Sequence, residues 1–189
     1  MVVGSQELTG VQSRTRAAIL DATASVLARD RSATLPEIAA AAEVARSTLH
    51  RYFVDRDRLI YETTLDSIRV INDRLAAVAT DEGPAIDAMR RLITTLVPEG
   101  DRIVFLFADP AVLRDFPADL QPNSRPITEL IARGQQEGAF DRELSADWIR
   151  IALFGLLVKA CREAAYGLVA RHSIVTTLTR IFERGVTPG

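Results

Sequence analysis

Residues 35 to 53, LPEIAAAAEVARSTLHRYF, constrain the fold more than any other stretch of the chain. Thr34 ahead of Leu35, Pro36 and Glu37 reads as a helix start: threonine caps, proline sits in the first turn, and Glu37 reaches back to complete a capping box. Ile38 and Ala42 share one face of that short helix, which runs to about residue 42. Val44 follows a turn, and Leu49 with Tyr52 or Phe53 sets the inward face of a second short helix, about 46 to 53. Ala39 is small where two such helices would cross closely. Two short helices packed through a tight turn make a helix-turn-helix.

The flanking sequence is helical as well. No alternating strand-like runs and no Asn-Gly or Asp-Gly hairpin turns appear. Residues 1 to 12 are polar and read as frayed. Ala17, Ile19, Leu20, Ala24 and Leu27 form an apolar stripe over about 13 to 30. Asp55 reads as the N-cap of a long helix, about 56 to 80, and further helices are expected near 84–97, 102–108, 124–138, 146–168 and 173–185. The expected fold is all-α. A three-helix N-terminal domain (1–57) is joined by the long helix to a larger C-terminal helical domain (58–189).

The recognition helix would begin near Ala45. Its first turn carries Arg46, Ser47 and Thr48, which all form hydrogen bonds, and arginine reads guanine in the major groove. The chain of 189 residues has a net charge of -2, so it has no overall basic footprint. Residues 1 to 57 hold seven Arg against seven Asp and Glu, yet residues 44 to 54 hold Arg46 and Arg51 and no acid. All basic residues but Lys159 are arginine. That bias fits a coding preference, with phosphate or base contacts confined to a few positions.

At these residues the chain resembles the TetR family of bacterial transcriptional regulators. The family's motif corresponds here to Thr34, Ile38, Ala39, Ala42, Val44, Ala45, Thr48, Leu49, Phe53 and Leu59, preceded by Arg16, Ile19, Leu20, Ala22 and Leu27. Glu43 stands in place of the usual turn glycine, His50 where tyrosine is usual, Tyr52 where histidine is frequent, and Arg56 in place of lysine. The resemblance implies phosphate contacts from Thr34, Ser47, His50, Tyr52 and Arg56, and base contacts from Arg46 and Thr48. Arg51 reads as a solvated residue.

In the second half, residues 151 to 158 are apolar on every side of a helix, so one side would face the core and the other a partner chain. Gly155 and Val158, with Ile174, Leu178, Ile181 and Phe182 on the last helix, are the expected dimer interface, which is also the family's arrangement. A two-fold dimer would present its recognition helices to a palindromic double-stranded operator, with half-sites about 34–36 Å apart or wider. The resemblance further implies a cavity for a small, largely apolar effector. Its candidate walls are Met89, Ile93, Leu96, Phe105, Phe107, Leu113, Phe116, Leu130, Trp148, Phe154 and Cys161.

Nothing points to catalysis, a metal or another cofactor. There is no HExxH, no phosphate-binding glycine loop and no CxxC. Of the two histidines, His50 lies in the recognition helix, and His172 reads as a loop residue before an N-cap at Ser173. The lone Cys161 sits in an apolar run and reads as a core residue. The opening residues lack the pattern of a signal peptide, and the apolar run 151–158 is far short of the roughly 20 residues needed to span a membrane. A cytoplasmic transcriptional regulator, most simply a repressor, is therefore expected. The alternative is a helical adaptor that kept the scaffold without specific DNA binding.

Overall fold

The computed structural model describes residues 10–114 and 116–188, and among these the regular structure is entirely helical. Ten α-helices follow in order: α1 (Gly10–Arg29), α2 (Leu35–Ala41), α3 (Arg46–Tyr52), α4 (Arg56–Ala76), α5 (Ala85–Leu96), α6 (Gly100–Phe107), α7 (Ala111–Arg114), α8 (Arg125–Gln136), α9 (Ala146–Ala165) and α10 (Arg171–Val186). Short 3-10 turns cover Val97–Glu99 and Ala118–Leu120.

Helix starts follow local chemistry. The Asp55 carboxylate accepts the Arg58 amide at 2.8 Å and caps α4 as expected. Ser145 caps α9 by accepting the Trp148 amide at 3.2 Å. The expected cap at Ser173 does not form. Its hydroxyl donates back to the Ala170 carbonyl at 2.8 Å, and α10 begins two residues earlier, so His172 is helical. Gly10, Val11 and Gln12, expected to fray, already belong to α1, while residues 1–9 lie outside the described residues. The long helix ends at Ala76 rather than near 80. Ala79 takes a positive φ of 50°, and Arg91 donates to the carbonyls of Val78, Ala79 and Glu82, closing the loop against α5.

α6 occupies the centre, packed on α9, α1 and α4. Ile103, Val104, Phe105 and Leu106 are all buried. α8 packs on α5 and α9, and α10 on α9 and α5. Polar groups inside this core are satisfied locally. The buried hydroxyls of Thr23, Thr63 and Thr64 donate to the carbonyls of Ile19, Leu59 and Ile60, one turn back. Gly134 on α8 is required by close approach: a Cβ there would lie 2.2 Å from the Phe140 ring.

Arg102, only 8% exposed, is the one charged residue among the buried set. Its guanidinium donates to the Asp66 carboxylate at 2.8 Å and the Ser67 hydroxyl at 3.2 Å, both on α4, and lies 3.4 Å from Asp21 on α1. A guanidinium taken out of water is tolerable only with such a complete set of acceptors. Arg102→Ala is expected to lower unfolding free energy by about 3 kcal/mol, toward the low end for breaking a buried pair because Asp66 keeps Arg69 at 2.8 Å. Urea denaturation of the variant beside the wild type measures the loss.

Candidate nucleic-acid interface and effector cavity

The loop between α1 and α2 is held from three directions. Asp30 accepts the Ser32 amide and hydroxyl at 2.8 and 2.6 Å, and these bonds keep its carboxyl below its ordinary value. Arg56, from the first turn of α4, donates to the carbonyls of Ala33 and Arg31. Glu37 accepts the Thr34 amide at 2.6 Å and its hydroxyl at 2.7 Å. Those donors hold the Glu37 carboxyl down, so the cap is intact at neutral pH and is lost as pH falls through the lowered pKa.

The α2–α3 turn is a Schellman closure. The Glu43 amide donates to the Ala40 carbonyl and the Val44 amide to the Ala39 carbonyl, at 3.1 and 3.0 Å. This geometry puts Glu43 at a φ of 54°, in the left-handed region that the family's glycine occupies without cost. Glu43 is exposed, so the strain has no compensating packing.

α3 is anchored by buried Leu49 and, just past its end, buried Phe53, with Thr48 and Tyr52 half-buried. The outward face carries Arg46, Ser47, His50 and Arg51, all exposed. The Arg51 guanidinium lies 5.4 Å from the Tyr52 ring centroid. Arg16 backs the unit from α1, 5.8 Å from the Phe53 ring and paired with Glu62 of α4. Arg56 stands apart from the other expected contacts. Both ends of its fork are bonded to backbone carbonyls, so the structure places it as a brace behind the recognition helix rather than as an open phosphate ligand.

The expected cavity walls divide. Met89, Ile93, Leu96, Phe105 and Leu130 are fully packed core. Trp148 is 66% exposed on the outer face of α9, away from the cavity that the other walls form. Phe116 stacks on Tyr61 instead, centroids 5.2 Å apart. Phe107, Leu113 and Phe154 do come together, with Ile71 and Leu75 of α4, around a cavity of about 160 Å³. The Phe107 and Phe154 rings meet at 5.5 Å with a 57° tilt. Gln121, Asn123, Ser124 and Arg150 supply its polar edge; sequence reasoning missed the first three because a proline-broken loop brings them in from afar, and Arg150 because it lies just ahead of the apolar run of α9. Cys161 lines a separate cavity.

The expected dimer residues divide too. Ile174, Leu178 and Phe182 face inward, Phe182 edge-on to Phe140 at 6.2 Å, so the chain's own core uses them. Val158 is half-buried against that core. The apolar residues left outward on α9 and α10 are Trp148, Ile151, Ala152, Gly155 and Ile181.

An all-helical chain with a braced helix-turn-helix and an acid-free reading face belongs to the class of helix-turn-helix transcriptional regulators. Residues 19–63 match the profile of the bacterial regulatory proteins of the tetR family. The chain is 32% identical over 180 residues to the transcriptional repressor LfrR of Mycolicibacterium smegmatis, covering 94% of this chain and 93% of that one. It is 29% identical over 163 residues to the regulator NfxB of Pseudomonas aeruginosa, covering 82% and 85%. The crystal structure of LfrR superposes with a TM-score of 0.75 over 95% of this chain and 100% of that one, at 29% identity. The same protein has been solved in complex with proflavine. The chain is a member of the TetR family. Among its described residues no helix is long and apolar enough to cross a membrane.

The strained turn gives a direct test. Glu43→Gly is expected to stabilise the fold by about 1 kcal/mol, the cost of a side chain in the left-handed region. Thermal unfolding should show a rise of roughly 2–4 °C for a chain of this size.

Proposed function

We propose that this protein is a dimeric repressor that binds a palindromic operator in the cytoplasm and releases it on binding a small, largely apolar effector. The observation that carries the reading is the outward face of α3, where Arg46, Ser47 and His50 stand exposed with no acid among them. Arg46 and Thr48 are assigned to bases, and Thr34, Ser47, His50 and Tyr52 to phosphates. Residues 1–57 form the reading domain, and 58–189 the effector and dimerisation domain.

Dimerisation is assigned to the outward faces of α9 and α10. Ile151 is 48% and Ile181 51% exposed, and Gly155 has no heavy atom near the position of a Cβ, so another helix could approach closely. The effector is assigned to the Phe107 and Phe154 cavity. Its two aromatic walls suit a flat aromatic ligand of the kind seen with LfrR. The present volume of about 160 Å³ means that the polar loop 121–124 moves outward as the ligand enters.

Selection from a random DNA pool should return a palindrome. Arg46→Ala should then weaken binding to it by roughly 5- to 150-fold at fixed salt, the range for losing one arginine–guanine contact. A pool that yields no common sequence would overturn the reading. Proflavine should dissociate the wild-type complex, and Phe154→Ala should raise the concentration needed by about tenfold. A complex indifferent to proflavine removes this ligand class, while leaving the DNA assignment standing.

A further inference from the structure

A second cavity of about 270 Å³ lies between the start of α6, the later turns of α9 and the start of α10. It is separate from the Phe107 and Phe154 cavity and shares no residue with it. Its floor is apolar, formed by Val97, Cys161, Ala164 and Ile174. Gly100 shapes that floor, because a Cβ at this position would lie 2.8 Å from the Cys161 sulfur.

Asp101, Arg171 and His172 supply its polar lining. Arg171 donates to Asp101 at 2.8 Å, and its side chain is 55% exposed, free to swing. Asp101 does not depend on that bond. Its other oxygen accepts the Ser25 hydroxyl at 2.7 Å, and Arg29 lies 3.9 Å away, both on α1. Two arginines thus surround one carboxylate, an excess of one positive charge beside an apolar floor. An incoming anion draws Arg171 over and leaves Asp101 with Ser25 and Arg29. An incoming cation must displace Arg171 from Asp101 and meets the repulsion of both arginines. The asymmetry selects negative ligands.

We infer that this cavity binds a small carboxylate with a short apolar tail, its head paired with Arg171 and its tail lying on Cys161, Ala164 and Ile174. Arginine meets a carboxylate with two parallel hydrogen bonds, which suits a site holding one exposed guanidinium. The volume lies just below the roughly 300–1,000 Å³ of ordinary small-molecule sites, which limits the tail to a few carbons. The inference stands apart from the operator and from the aromatic effector.

Cys161 is the only cysteine of the chain, so it reports occupancy of the site directly. Burial pushes its thiol up to about 11, so alkylation is slow and is best followed at alkaline pH. Hexanoate at millimolar concentration should slow alkylation of Cys161 by N-ethylmaleimide in the full-length protein, read by mass spectrometry. Hexyltrimethylammonium, which stays cationic at alkaline pH and does not react with the maleimide, should not. Arg171→Gln should raise the half-protecting hexanoate concentration by about tenfold, and Arg171→Lys, which keeps the charge, should recover part of the loss. Absence of protection across the millimolar range, equal protection by hexyltrimethylammonium, or unchanged protection in Arg171→Gln would each overturn the assignment.

Discussion

The Arg102 guanidinium is the contact on which the arrangement of the other helices depends. It sits in the first turn of α6 and reaches α4 through Asp66 and Ser67, and α1 through Asp21. Neighbouring groups extend the same seam. Asp101 takes the Ser25 hydroxyl of α1, Arg31 donates to the Phe105 carbonyl and lies over its ring at 5.1 Å, and Tyr166 donates to the Arg29 carbonyl at 2.9 Å. The DNA-reading unit is therefore fastened to α6 by directional bonds as well as by apolar packing. Hydrogen bonds of this kind specify angle and register, which burial alone leaves loose.

Arginine dominates the basic residues, and the structure shows a use for it that composition conceals. Arg56, Arg91, Arg133 and Arg142 each donate to two or more backbone carbonyls in loops or at helix ends. Carbonyls in loops and at helix ends fall outside the regular helical ladder and keep acceptor capacity for side chains. A planar guanidinium with five donors can satisfy several at once, whereas an ammonium is a point charge on a flexible stem. The bias need not reflect nucleic acid contact. At Arg56 the two roles compete directly, and the observed bonds favour the brace.

The reading unit was legible in the sequence because its determinants are local. A capping threonine, a proline in the first turn, a glutamate three residues on and a tight turn lie within twenty residues of one another. Glu43 in place of the usual turn glycine leaves two outcomes open, a strained turn or a reshaped one, and the structure keeps the positive φ. The faces of the C-terminal helices were not legible. Residues 151–158 of α9 are apolar on every side, so periodicity cannot say whether Ile151 or Leu157 points inward; only the neighbouring helices decide. α10 carries a single apolar stripe whose partner the sequence does not name, and Ile174, Leu178 and Phe182, expected at the partner's side, are buried by the chain itself. One signal was available: Asp101 and Arg102 open an otherwise apolar helix, and polar residues at such a place mark a specific seam.

That seam also bounds how release from DNA can operate. Phe107, at the far end of α6, lines the aromatic cavity, while Asp101 and Arg102 at the near end hold α1 and α4. α6 has eight residues and is packed on both sides, so it transmits a displacement as a rigid piece rather than bending. A ligand that pushes Phe107 outward thus bears on the bonds of Arg102 and on the frame behind α3. Coupling energies between two sites are typically about 1–3 kcal/mol. That is no more than the expected cost of losing the Arg102 bonds outright, so an effector has enough energy to tilt this seam but not to dismantle it. On the effector assignment proposed above, release would proceed by a shift of intact helices, carrying the capped, braced helix-turn-helix with α6.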